Sequence, residues 1–190
     1  YYKLDLQFYY SSKFLFFIAN INGVSKKENL GQIFLDLNRS MTVQNVIFEN
    51  QILTTNHTIQ NRLYITLPAG RNLRFNEPFS LEIKYNGYPE SSGGFGTIAF
   101  GDRGLKSIYT LSEPYGSKDW FPCKDTPADK ADSSDVWITS EPFFVSVSNG
   151  KLMETVTNQD GTKTYKWKNS YPIAPYLIYV AMSNFVIYNT

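Results

Sequence analysis

Histidine and cysteine are nearly missing from this 190-residue chain, which has one of each, His57 and Cys123. A catalytic zinc site normally takes three protein ligands drawn from His, Cys and carboxylates, and a zincin helix carries His-Glu-x-x-His. No such stretch is present, so these residues are expected to hold no metal themselves. Serine and cysteine hydrolase triads would both have to use His57, and Gly-x-Ser-x-Gly is absent. A lone cysteine forms no intrachain disulfide and leaves the redox compartment open. Charge of one sign is also lacking: 18 Lys and Arg stand against 17 Asp and Glu, without long runs, which argues against a nucleic-acid partner. The longest apolar stretches, 14–18 and 174–182, fall short of the ~20 residues that cross a bilayer as a helix, so no membrane span is expected. The chain opens on Tyr1 and runs at once into a strand pattern, which reads as a boundary left by processing or by choice of fragment.

What is abundant is large apolar surface. Hydrophobic residues make up 42% of the chain, with 14 Tyr and 14 Phe, too much for a disordered segment and enough for one domain over residues 1–190. Period-two alternation dominates: Leu4, Leu6 and Phe8 share a face, as do Leu63, Ile65 and Leu67, then Phe79, Leu81, Ile83 and Tyr85. Residues 14–21 and 33–37 are further strand candidates. After residue 130 the grammar returns at Val136 and Ile138, at 144–147, and at 153–157 and 163–167 flanking Asp160-Gly161, the best hairpin signal in the chain. The run 175–188 reads as a long closing strand with a bulge at 181–183, and 128–133, after Pro127, as a short helical turn. The fold class is therefore all-β, an antiparallel β-sandwich or saddle-like assembly of twisted sheets.

Residues 86–130 differ in texture, being rich in Gly, Pro, Ser and charge, and a connection of such length is uncommon unless functional. Within it the segment 91–96, Ser-Ser-Gly-Gly-Phe-Gly, lacks the Gly-Lys-Ser/Thr of a phosphate loop and reads as a flexible hairpin or interdomain contact. Asp125, Asp129, Asp132 and Asp135 lack calcium-loop spacing and read as a solvated face. His57 reads as a surface histidine at a strand edge or turn. Exposed coplanar rings among Trp120, Trp137 and Trp167 would mark an alternative, a stand-alone module that binds carbohydrate or protein.

More specific is the stretch Thr110-Leu111-Ser112-Glu113-Pro114-Tyr115-Gly116, followed by Trp120-Phe121-Pro122-Cys123-Lys124-Asp125-Thr126-Pro127-Ala128-Asp129-Lys130-Ala131. It resembles the amino-terminal domain of the M1 (gluzincin) zinc aminopeptidases, where a Glu-containing loop precedes Phe-Pro-Cys-x-Asp-x-Pro-x-x-Lys-Ala. Residues 2–6, 147–150 and 172–177 are similar to that domain's opening strand, its Val-Ser-Asn-Gly turn and its last strand. The bacterial branch is the nearest in motif, which inclines the reading towards a secreted or periplasmic parent. The resemblance implies that the zinc-bearing catalytic domain lies outside this chain. The parent would remove amino-terminal residues from peptides, and this fragment alone would be inactive. It further implies that this domain caps the active site against the catalytic domain of the same polypeptide, and that Glu113 binds the α-ammonium of the substrate's amino terminus. Ser112, Pro114, Phe121, Pro122, Cys123, Asp125 and Lys130 would brace that loop, with Asp125 paired to Lys130 or capping the turn at Thr126. A cis Glu113–Pro114 bond would turn the carboxylate towards the cleft. Leu111 and Lys118 depart from the Gln and Arg of many members, so a second polar substrate contact is missing. An exposed apolar patch should surround Glu113.

Overall fold

A computed structural model of the chain describes residues 1–90, 98–101 and 104–186. The strands, in chain order, are β1 (Tyr2–Phe8), β2 (Leu15–Val24), β3 (Gln32–Asp36), β4 (Met41–Phe48), β5 (Gln51–Ile52), β6 (Thr54–His57), β7 (Arg62–Thr66) and β8 (Pro78–Gly87). They continue with β9 (Ile98–Gly101), β10 (Ser107–Thr110), β11 (Ser134–Ser140), β12 (Val145–Ser148), β13 (Lys151–Thr157), β14 (Lys163–Asn169) and β15 (Val180–Ser183). Two 3-10 turns, Ser117–Asp119 and Pro175–Leu177, are the only helical elements among the described residues.

The alternation seen in the sequence becomes the packing. On β1, Leu4, Leu6 and Phe8 are buried while Lys3, Asp5 and Gln7 lie on the opposite, half-exposed face. That is the two-residue period of a strand with one face on the core. Full burial of each such side chain contributes roughly 1.5–3 kcal/mol. β1 sits inside an eight-stranded sheet of order β13-β14-β11-β1-β2-β8-β4-β5, beside a four-stranded sheet β12-β15-β10-β9 and a three-stranded sheet β3-β7-β6. All three contribute to one hydrophobic cluster, which includes Phe8, Phe17, Tyr85, Leu63, Ile108, Trp120 and Phe121. Pairing is antiparallel except between β1 and β11, where Leu4 stands opposite Val136 in a parallel register.

Asp160-Gly161 does close the β13–β14 hairpin: the Asn158 N–H donates to Thr162 O, and Asp160 Oδ1 accepts from both the N–H and the hydroxyl of Thr162. Two expectations fail. Residues 128–133 form no helical turn, because Ala131 is drawn into a two-bond antiparallel bridge with Ile173, which extends the chain there. The closing run is not one long strand. Pro175 starts a 3-10 turn, since proline fixes its φ and offers no N–H to a sheet, and the strand covers only Val180–Ser183. The part of that run beyond residue 186, like the 91–96 segment apart from any of its neighbours, lies outside the described residues.

Two glycines at positive φ separate backbone strain from collision. A Cβ on Gly161 (φ +85°) would meet nothing within 4 Å, whereas one on Gly150 (φ +86°) would lie 2.1 Å from the Lys168 carbonyl oxygen. Gly161→Ala should therefore cost about 1–2 kcal/mol, the penalty of a left-handed alanine, and Gly150→Ala distinctly more. Urea unfolding should rank the wild type above Gly161→Ala and Gly161→Ala above Gly150→Ala.

Candidate functional site

Strand β10 leaves the four-stranded sheet at Thr110, and the chain then makes a surface loop before diving into the core at Trp120. Leu111, Glu113, Pro114 and Tyr115 are exposed, while Ser112 and Gly116 are buried. The Glu113–Pro114 peptide bond is cis. Among the described residues the Glu113 carboxylate has no hydrogen-bond or ion-pair partner, so it is available to a cationic group from outside.

The loop stands on a buried base. The Trp120 indole N–H donates to Ser112 Oγ at 3.0 Å, and the Gly116 N–H donates to Ser112 O at 2.8 Å. Tyr85 on β8 donates its hydroxyl to Trp120 O at 3.1 Å. The Trp120 and Phe121 rings pack 4.5 Å apart, and Phe121 meets Tyr2 of β1 edge-on at 5.7 Å. Phe121, Pro122 and Cys123 are all buried. Cys123 forms a two-bond backbone bridge with Asp36 at the end of β3. Burial, reinforced by the nearby Asp125 and Asp36 charges, pushes the Cys123 thiol well up, which makes it a packed apolar group and not a nucleophile.

Asp125 is the polar counterpart. Its side chain is only 3% exposed, and it pairs with Lys118 Nζ at 3.0 Å and accepts the Ser117 N–H at 3.3 Å. The expected partner Lys130 is instead exposed, and Asp125 does not cap the turn at Thr126. Lys118 lies one 3-10 turn away from the loop and reaches Asp125 through the fold, which spacing along the chain could not reveal. Its ammonium also donates to Tyr115 O. Asn38 completes the base, donating its side-chain N–H to Asp119 Oδ1 at 3.0 Å and to Glu90 O at 2.8 Å.

Exposed apolar side chains flank Glu113 along the chain, with Tyr109, Leu111 and Tyr115 exposed by 47%, 45% and 57%, and Leu177 and Tyr179 before β15 are 50% and 39% exposed. The β10–β15 register, with Tyr109 opposite Ala181, runs from the first of these towards Leu111 and Tyr179. Two shallow grooves of about 350 and 490 Å³ lie elsewhere, on the outer face of the eight-stranded sheet, and neither is lined by Glu113.

The tryptophans do not form a stacking platform. Trp120 is fully buried, the Trp167 indole is tied to Ser146 O at 3.1 Å, and the Trp137 ring is covered by Lys3 and Lys166 ammonium groups 3.6 and 4.6 Å from its centroid. Nor do zinc ligands converge: among the described residues no group of three His, Cys, Asp or Glu side chains is placed to hold a metal ion. His57 is half-buried at the end of β6, and its Nε2 bonds Leu37 O at 2.8 Å.

The sequence pattern of the peptidase M1 N-terminal domain family matches residues 1–177, and the chain belongs to that family. Aminopeptidase A of Gloydius brevicauda is 33% identical over 127 residues, which is 64% of this chain and 13% of that protein. Leucine aminopeptidase 2 of Vanderwaltozyma polyspora is 26% identical over 186 residues, 90% of this chain and 26% of that protein. The M1 zinc metallopeptidase of Deinococcus radiodurans superposes with a TM-score of 0.83 at 26% identity, covering 96% of this chain and 41% of that one. A mutant form of it bound to a Tyr-Ser-Ala substrate superposes with a TM-score of 0.82 at 27% identity, with the same coverage of both chains. The chain thus spans well under half the length of the relatives it matches.

Two measurements follow from this geometry. Lys118→Met leaves the buried Asp125 carboxylate without its cation, and loss of one partner of a buried pair costs about 3–5 kcal/mol, so denaturant unfolding should show a loss of that order with Lys118→Arg far milder. For His57, burial lowers the pKa below its ordinary value, outweighing the opposing bond to Leu37 O. The unfolded state then binds more protons, so the contribution of this residue is present above about pH 6.5 and is lost as pH falls through the folded value. Stability measured between pH 7.5 and 5 should fall less steeply in His57→Gln than in the wild type.

Proposed function

We propose that this chain is the amino-terminal, non-catalytic domain of a zinc aminopeptidase, that residues 1–190 act as one unit, and that Glu113 binds the α-ammonium of the peptide to be cleaved. The observation that carries the reading is the position of Glu113. An unpartnered carboxylate stands on a braced loop that also exposes Leu111 and Tyr115, in a chain that belongs to the M1 N-terminal domain family. An ammonium that leaves water for a closed cleft needs a charged acceptor there, and burial of the surrounding apolar surface strengthens the attraction. Holding the amino terminus at a fixed point confines cleavage to the first peptide bond.

The exposed apolar side chains of this loop and of Tyr109 before it offer a surface on which a catalytic domain of the same polypeptide would seat, so that this domain caps the active site. Zinc belongs to that other domain. The described residues do not fit the ion, since the one thiol is buried with its pKa pushed well up and His57 is engaged with a backbone carbonyl. The role of this chain is therefore to bind and orient substrate, and expressed alone it should hydrolyse no peptide.

In the full-length polypeptide, Glu113→Ala should raise KM for substrates with a free amino terminus by about 10- to 100-fold, the equivalent of a ~1.5–3 kcal/mol charged hydrogen bond. Steady-state kinetics with amino acid 4-nitroanilides measures this, and an unchanged KM and kcat/KM would sink the assignment of Glu113.

A further inference from the structure

The residues between Leu111 and Tyr115 are mostly exposed, so the place of Glu113 is set by whatever holds the two ends of its loop. The upstream end is fixed at Ser112, which accepts the buried Trp120 indole N–H and the Gly116 N–H. The downstream end is fixed through a relay of polar contacts. Lys118 Nζ donates to Tyr115 O and to Asp125 Oδ2, the Ser117 N–H donates to Asp125 Oδ1, and the Asp125 N–H donates to Asp36 Oδ2 at 3.1 Å. Asp36 belongs to β3, so the relay ties the loop to the three-stranded sheet while Trp120 ties it to β8.

We infer that Lys118, held by Asp125, is a positioning residue for amino-terminal recognition, an inference that rests on the reading of Glu113 given above. Its ammonium locks the Tyr115 carbonyl and with it the loop that carries Glu113. The pairing has a second effect: Lys118 is bound to the loop that carries Glu113, where an unneutralised ammonium would repel a substrate ammonium, and Asp125 offsets that charge. Lys118 therefore acts through geometry and charge balance without touching substrate.

A double-mutant cycle in the full-length polypeptide tests this, with amino acid 4-nitroanilides as probes. Lys118→Met should raise KM by about tenfold, Lys118→Arg should restore it to within about threefold, and Lys118→Met should add nothing in a Glu113→Ala background. Additive effects of Lys118→Met and Glu113→Ala would make Lys118 merely structural and overturn the inference. Hydrogen exchange on the full-length polypeptide provides the second arm: Lys118→Met should speed exchange of the Gly116 and Ser117 amides at least tenfold more than that of β1 and β8, whose change reports only the global loss of stability. Unchanged exchange beside a KM effect of Glu113→Ala removes the positioning role alone. A silent Glu113→Ala with accelerated exchange removes the recognition reading instead, and the positioning role with it.

Discussion

A polypeptide that crosses the interior of a β-protein outside any sheet needs partners for its polar groups, and the segment 117–125 finds most of its partners where three sheets meet. Its apolar members, Trp120, Phe121, Pro122 and Cys123, fill the junction, and its polar members reach back to the sheets. Asn38 meets Asp119, Asp36 meets both Cys123 and Asp125, and Tyr85 meets the Trp120 carbonyl. Remove that segment and the three-stranded sheet loses the backbone bridge between Asp36 and Cys123. The surface loop of Glu113 also loses its base.

This arrangement explains how a rigid scaffold carries the exposed Glu113 carboxylate on a loop. Sites on loops are imprecise unless their supports are fixed. Here the supports are an indole and a lysine-carboxylate pair that are themselves mostly buried. The exposed residues of the loop are then free to present chemistry and apolar surface outward without serving the core.

Much of this was legible in the sequence because its signals are local. Alternation placed β1 and β8, and Asp160-Gly161 placed the β13–β14 turn, since side-chain period and turn chemistry are written in adjacent residues. The motif around Glu113 and Phe121-Pro122-Cys123 marked the loop and its support. What failed was non-local. The bridge between Ala131 and Ile173 overrode a helical reading of 128–133, and Pro175 broke a run whose composition favoured a strand. Strand β4, with Gln44 and Asn45 at a register shift, and β6, made of Thr54, Thr55, Asn56 and His57, carry too little apolar alternation to announce themselves. The motif singles out Asp125, but neither Lys130 nor the turn at Thr126 is its partner, because the fold delivers Lys118 and the Ser117 N–H instead.

The domain's role turns on where a substrate's amino terminus lies. A crystal structure of the full-length polypeptide with a bound tripeptide measures that position directly. The account predicts a Glu113 carboxylate oxygen within about 3.2 Å of the α-ammonium nitrogen, the range of a charge-assisted hydrogen bond, with Tyr109, Leu111 and Tyr179 covered by the catalytic domain. A peptide whose ammonium is bound by other groups while Glu113 faces solvent would contradict it.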